Sequence, residues 1–236
     1  MRIVLKKKPK NPTIIEGFPG FGLVGTISTE YLINELKAEL IGSIHAEEIP
    51  PMVAIHDNKV VQPVGIYYDK KNNLVFLHVM TNVKGIEWDV GELVIELAKQ
   101  LEAADIVSIE GVGTPLPSRE IEAYFYSNND KGKKKFEGAK ISPLKEGIIL
   151  GVTSTVILQG DDYPVSCIFV ETHSSLPDSK AAAKAVEVLD KYLGLQIDYK
   201  PLLKQAEKFE GKIKGLMEKS AVATDQQRKK TLSYMG

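Results

Sequence analysis

The sequence predicts an α/β fold, a mainly parallel sheet with helices on both faces, followed by a C-terminal helix and a flexible tail. Three observations carry this reading. Strand-like runs alternate with amphipathic helical segments. The runs are continuously apolar, as in strands buried on both faces of a parallel sheet. Residues 13–32 read as strand, glycine turn and helix, the first half of a βαβ unit. The predicted divisions are a core domain over residues 1–198, a helix over 199–219 and a tail over 220–236.

Thr13-Ile14-Ile15 makes the first strand. The turn after it reads Glu16-Gly17-Phe18-Pro19-Gly20-Phe21-Gly22-Leu23-Val24-Gly25, and Leu23, Val24, Ile27, Tyr31 and Leu32 then recur at helical spacing. Glycines let such a turn come close to its surroundings, and the new helix points unpaired N–H groups at the same place. The turn can therefore serve a ligand, a partner subunit or only its own packing. Glu16, Gly17, Phe18, Gly20, Phe21, Gly22 and Gly25 are accordingly candidate ligand or interface residues. Gly20-Phe21-Gly22-Leu23-Val24-Gly25 also fits the dinucleotide pattern G-x-G-x-x-G. Its context fits only in part, because Gly17-Phe18-Pro19 separates the pattern from the strand and Pro50-Pro51 follows the acidic candidates Glu47 and Glu48. No cofactor is expected.

Strands are predicted over Glu39–His45, over a hairpin of Met52–His56 and Val60–Tyr68 turning at 57–59, and over Leu74–Met80. A helix from Asp89 to Ala104 buries Val90, Val94, Leu97 and Leu101, and Ile106–Glu110 is the next strand. Arg119–Tyr126 reads as a helix, residues 127–138 as a polar segment with the solvated loop Lys131–Lys135, and Gly147–Thr153 as a strand. Val165–Glu171 is the last strand, and a helix over Ser179–Leu193 stops at Gly194.

Three of the strands end in glutamate before a small or turn-forming segment, at Glu16, Glu110 and Glu171. Ligands of parallel α/β sheets bind outside the carboxyl ends of strands, so these carboxylates would lie along the functional edge. They could hold sugar hydroxyls, share a proton or bind a hard cation. Alternatively, they cap backbone N–H groups where strands turn into loops. The four histidines, His45, His56, His78 and His173, lack metal-ligand spacing, and no metal site is expected.

Composition narrows the rest. A formal net charge of −1 predicts neither nucleic acid nor an anionic membrane as partner. No run approaches the roughly 20 apolar residues of a membrane span, and the basic start lacks a signal-peptide core. The one cysteine, Cys167, reads as a buried strand residue rather than a nucleophile, and the chain as a resident of a reducing cytoplasm. No nucleophile, base and orienting group stand out as a set, so no catalytic residues are assigned.

Beyond Gly194, Leu202, Ala206, Phe209, Ile213 and Leu216 repeat at spacings of four and three, the pattern of a helix packed on another helix. Residues 220–231 are polar and the chain then ends Leu232-Ser233-Tyr234-Met235-Gly236. An apolar, aromatic tip on a polar tether has the character of a docking peptide, with Leu232, Tyr234, Met235 and Gly236 as its partner-binding residues.

Ile14-Ile15-Glu16-Gly17-Phe18-Pro19-Gly20-Phe21-Gly22-Leu23-Val24-Gly25, with Ile49-Pro50-Pro51 and Ile109-Glu110-Gly111-Val112-Gly113, resembles the archaeal relatives of the proteasome assembly chaperone 2 family, roughly from Thr13 to Leu193. The resemblance implies a fold similar to purine nucleoside phosphorylases, used as a binding scaffold without catalysis. It also implies homo-oligomers that act on the α subunits of the 20S proteasome core, directly or through a related assembly chaperone. Some members end, like proteasome activators, in hydrophobic–tyrosine–any residue, whereas here Tyr234 is third from the end. A second expectation, from the residues themselves, is an enzyme acting on a nucleoside or glycoside. It would use the strand-end carboxylates with Ser154 and Thr155.

Overall fold

The computed structural model describes residues 1–49, 53–56, 59–113, 120–172, 176–204 and 214–215. In chain order its elements are β1 (Arg2–Leu5), β2 (Thr13–Gly17), a 3-10 turn (Phe21–Leu23), α1 (Val24–Glu35), β3 (Glu39–His45), β4 (Ala54–His56), β5 (Lys59–Val61), β6 (Val64–Asp69), β7 (Leu74–Val79), α2 (Glu87–Leu101), β8 (Asp105–Gly113), β9 (Ala123–Ser127), α3 (Asp130–Gly138), β10 (Ser142–Pro143), α4 (Val152–Gln159), β11 (Val165–Thr172), α5 (Ser179–Leu193) and α6 (Lys200–Lys204).

Nine strands form one sheet in the order β1-β3-β6-β7-β2-β8-β11-β9-β10, and β4 and β5 make a separate hairpin. The centre, β7-β2-β8-β11, is parallel throughout, β1, β3 and β6 pair antiparallel with their neighbours, and β9 pairs antiparallel with β11 and parallel with β10. Continuous apolar sequences mark this parallel centre because both of its faces are covered. On one face Ile15, Val107, Ile109, Ile168 and Val170 pack with Ile27 of α1 and Ala182 and Val186 of α5. On the other, Ile14, Leu77, Ile106, Cys167 and Phe169 pack with Val94 of α2 and Val156 of α4. Cys167 is fully buried there, as its strand context predicts.

Four predicted elements change. Val60–Tyr68, expected as one strand, breaks at Gln62-Pro63 into β5 of the separate hairpin and β6 of the large sheet. Residues 123–126, read as the end of a helix, belong with Ser127 to β9, in which Ala123, Phe125 and Ser127 point inward and Tyr126 outward. The polar segment with its lysine run is no loop: α3 forms because the Asn129 side chain accepts from Gly132 N–H at its start and Phe136 anchors its one apolar contact. Phe136 is completely buried, stacked between Phe125 and Tyr192. The run Gly147–Leu150 is not a strand, and Ile148 and Leu150 are exposed at 88% and 70%. Gly151, at φ 79°, then turns the chain into α4. Arg2–Leu5, basic and short in sequence, joins the sheet as an edge strand.

Helix α5 begins on a shared cap. The Asp178 carboxylate accepts from Ala181 N–H at 3.0 Å and from Thr172 Oγ1 at 2.9 Å, while Asp178 N–H donates to Gly22 O at 2.8 Å. Asp178→Ala is expected to cost about 1 kcal/mol. Calorimetry should record a fall in Tm of about 3 °C.

Of the predicted C-terminal helix, α6 is described, with Leu202 buried against the α1 and α5 core. Leu232, Tyr234, Met235 and Gly236 lie outside the described residues, as do Pro50, Pro51 and His173. Among the described residues no helix is long and apolar enough to cross a membrane.

Candidate functional site

The topology brings the glutamate-ending strands together. Strands β2, β8 and β11 are consecutive and parallel, so Glu16, Glu110 and Glu171 lie at one rim of the sheet. Register also fixes their face. Glu16 is level with Ser108 and Phe169 with Glu110, and side chains two apart share a face, so all three carboxylates point to the α2 and α4 side.

Glu16 is completely buried. One carboxyl oxygen, Oε1, accepts from Ser108 Oγ, and Oε2 has no hydrogen-bond partner among the described residues. Burial is the main cause that pushes its carboxyl up to about 8; the Ser108 hydrogen bond opposes this and the neighbouring Glu110 adds to it. Glu110 is likewise pushed up to about 7 by burial, against a hydrogen bond from Thr153 Oγ1 to Oε2 at 2.9 Å. Glu171 accepts from Tyr124 Oη at 3.3 Å. The partners of Glu16 and Glu110 among the described residues are hydroxyl groups rather than the backbone N–H groups of a turn cap.

Thr153 carries a role that the sequence reading gave to its neighbours. The first turn of α4 directs Thr153 to Glu110, whereas Ser154 donates to Gly151 O at 2.6 Å and Thr155 is buried against Gly91 of α2. No periodicity in the run Val152-Thr153-Ser154-Thr155 singles out the inward residue, because all four suit the same helix start.

Glu110 and Glu171 line a cleft of about 780 Å³ with Phe21, Tyr124, Lys145 and Ile148 among its walls. Glu16 lies beneath, on the neighbouring strand. Hydroxyl groups, apolar surface and the Glu110 carboxyl of raised proton affinity suit this cleft to apolar or hydroxylated groups better than to anions.

The glycine turn bears this out. A Cβ on Gly20 would stand 2.2 Å from Glu110 Oε1, so a carboxyl occupies the ground a pyrophosphate would need. Gly17, Gly25 and Gly111 serve close packing instead. Added Cβ atoms would stand 2.2 Å from Gly25 O, 2.5 Å from Ile109 O and 2.1 Å from Phe21 O respectively. Gly22 takes φ 64°, and its Cβ would meet Thr172 Oγ1 at 2.6 Å. Phe18 is buried in the core, while Phe21 is half-exposed at the cleft.

A second polar group, missed in sequence, lies on the opposite face. His78 of β7 is fully buried, with Nδ1 2.8 Å from Thr29 Oγ1; Nε2 stands 3.1 Å from Glu30 Oε2 but is not aligned with it for a hydrogen bond. Hydroxyl, imidazole and carboxylate stand in the order of a nucleophilic set. Thr29 is, however, fully buried and donates to Gly25 O at 2.9 Å, so no substrate reaches it. The group ties α1 to β7. A third, Asp105 with Tyr192 and Ser166, joins β8, α5 and β11 at the far end of the strands. Burial holds the Asp105 carboxyl up at about 6.

The structure is similar to Pyrococcus furiosus PbaA, an archaeal homolog of proteasome-assembly chaperone, at 29% identity and a TM-score of 0.84, covering 94% of this chain and 99% of that one. Pyrococcus furiosus PbaB, an archaeal proteasome activator, shares the fold at 24% identity and a TM-score of 0.75, over 91% of this chain and 98% of that one. An uncharacterized protein of Methanocaldococcus jannaschii, MJ0106, is 25% identical over 239 residues, 100% of this chain and 98% of the relative. The PAC2 family model matches residues 14–217, and the chain belongs to the PAC2 family.

Proposed function

We propose that this chain is a non-enzymatic proteasome assembly chaperone-like protein. It forms a cytoplasmic homo-oligomeric scaffold that binds α subunits of the 20S core, directly or through a related chaperone. The observation that carries the reading is the likeness to PbaA, which extends over nearly the whole of both chains. The site geometry is in keeping with it. The buried carboxyls are engaged by the protein's own hydroxyls, and the hydroxyl–imidazole–carboxylate group is sealed from solvent.

In this reading Leu232, Tyr234, Met235 and the Gly236 carboxylate form the docking tip. An oligomer presents several tips to a ring, and effective concentration strengthens binding without requiring a tight single contact. Size-exclusion chromatography with light scattering tests this on the protein mixed with proteasome α subunits, full-length and lacking Leu232–Gly236. Full-length protein is expected to co-elute as an oligomer, and the shortened one to remain oligomeric but elute alone. Co-elution of both forms would remove the tail from the mechanism. Co-elution of neither would remove the α subunits as direct partner.

A further inference from the structure

Two apolar features stand apart on the rim that carries Glu16 and Glu110. One of them projects. β3 and β7 run the same way, since each is antiparallel to β6, so the chain leaves this rim after His45 and returns to it at Val64. Between them the β4–β5 hairpin pairs with no further strand among the described residues. Its Val53, Ile55 and Val60 are exposed at 55%, 71% and 56%, Ile55 lies opposite Val60, and neither core includes a residue of the hairpin. A lone two-stranded hairpin is marginal in water, and this one leaves its outer edges and its aliphatic side chains uncovered.

The other feature is hollow. Beyond β10 the chain lines the cleft on its way to α4, and Lys145–Leu150 make no backbone hydrogen bond among the described residues. Exposure nevertheless alternates as in a strand: Ile148 and Leu150 face outward, while Ile149 packs toward the α2 and α4 core. Phe21 adds a half-exposed ring to the same cleft. An alternating apolar run with open N–H and C=O groups calls for a strand beside it, which a small apolar molecule would not supply.

We propose that the β4–β5 hairpin of one copy seats in the cleft of a second copy, an outer strand of the hairpin pairing with residues 147–150 and Ile55 and Val60 covering Phe21, Ile148 and Leu150. The hairpin does not fill the cleft of its own chain, because β7 and β2 separate β6 from β8 and Ile55 stands open to water. Projection and hollow occupy different parts of one molecule, so each copy gives one contact and receives one. Such a head-to-tail interface generates a ring when its rotation closes. The inference rests on the homo-oligomeric part of the proposed function and is independent of its proteasome part.

Size-exclusion chromatography with light scattering tests it on the full chain and two double variants. Ile55→Asp with Val60→Asp disables the hairpin and keeps the cleft, and Ile148→Asp with Leu150→Asp does the reverse. Each alone is expected to run as a monomer. Mixed in equal amounts they should form a complex of twice the monomer mass, because each supplies the half that the other lacks. Oligomers of wild-type size from either variant, or monomers alone in the mixture, overturn the hairpin–cleft contact and leave the oligomeric reading standing. A monomeric wild-type chain overturns both. Should an aspartate variant not fold, a mixture of Ile55→Cys and Ile148→Cys chains treated with a short bis-maleimide decides, since Cys167 is buried. Covalent dimers in the mixture and not in either chain alone support the contact, and their absence overturns it.

Discussion

Gly17→Ala is expected to be among the most damaging single-methyl changes at the described residues, lowering stability by about 3 kcal/mol and Tm by about 9 °C. The new Cβ would stand 2.2 Å from Gly25 O, 2.5 Å from Gly25 C and 2.9 Å from Thr29 Cγ2. Two of those are backbone atoms of α1, so no rotamer relieves the clash and the whole helix must lift from β2 and β8. Gly25→Ala should behave alike, because its Cβ meets the backbone oxygen of Ile109. Gly20→Ala meets only the end of the Glu110 side chain, which can swing aside, and is expected to cost less than half as much. Gly138→Ala, at the end of α3 with nothing within 4 Å, should instead stabilise by about 0.5 kcal/mol. Thermal unfolding of the four variants checks the order, and a Gly17→Ala protein as stable as Gly138→Ala would contradict the close approach.

Glu16→Gln is expected to reverse sign with pH. Folding raises the Glu16 carboxyl from an ordinary value of 4.5 to about 8, so between those values the folded state holds more protons than the unfolded one. The stabilisation tied to this group is complete below about pH 4.5 and is lost as pH rises through about 8. Glu110, raised to about 7, and Asp105, raised to about 6, act in the same direction. The lowered carboxyls Glu39 and Glu187 act oppositely, but they are exposed or partly so and contribute little. The full span for Glu16 corresponds to on the order of 4 kcal/mol. Glutamine keeps an acceptor for Ser108 without the ionisation. The variant should therefore be less stable than wild type by about 1 kcal/mol near pH 5 and more stable by about 3 kcal/mol near pH 9. Urea titrations at the two pH values give both numbers, and parallel pH profiles for variant and wild type would deny the burial of an ionisable group at residue 16.

The parallel centre was legible because its strands are mainly apolar runs without the polar alternation of a surface strand. The same criterion misled at residues 147–150, where Ile148 and Leu150 supply apolar character but face out, and the chain reaches Gly151 before it becomes helical. Helix α3 was illegible for the converse reason: one buried aromatic, Phe136, holds an otherwise polar segment, and its value depends on Phe125 and Tyr192, distant in sequence. In β9 the alternation of Ala123, Tyr124, Phe125 and Tyr126 was the available strand signal. At the rim, the recurrence of glutamate after apolar strands foretold three carboxyls on one edge. That two of them hold protons near neutrality follows from burial under α2 and α4, which no local pattern encodes.

The strand order has a further consequence for synthesis. β2, near the start of the chain, sits between β7 and β8, with Thr13 paired to Leu74 on one side and Asp105 on the other, and β8 must itself wait for Val165 of β11. A growing chain can form the antiparallel ribbon of β3, β6 and β7 early, since its links are short. The carboxyl rim, by contrast, can be assembled only after residue 172 has left the ribosome. Until then β8 has a partner on one side alone, so nascent chains ending before β11 are the species in which an apolar sheet edge stands open to aggregation.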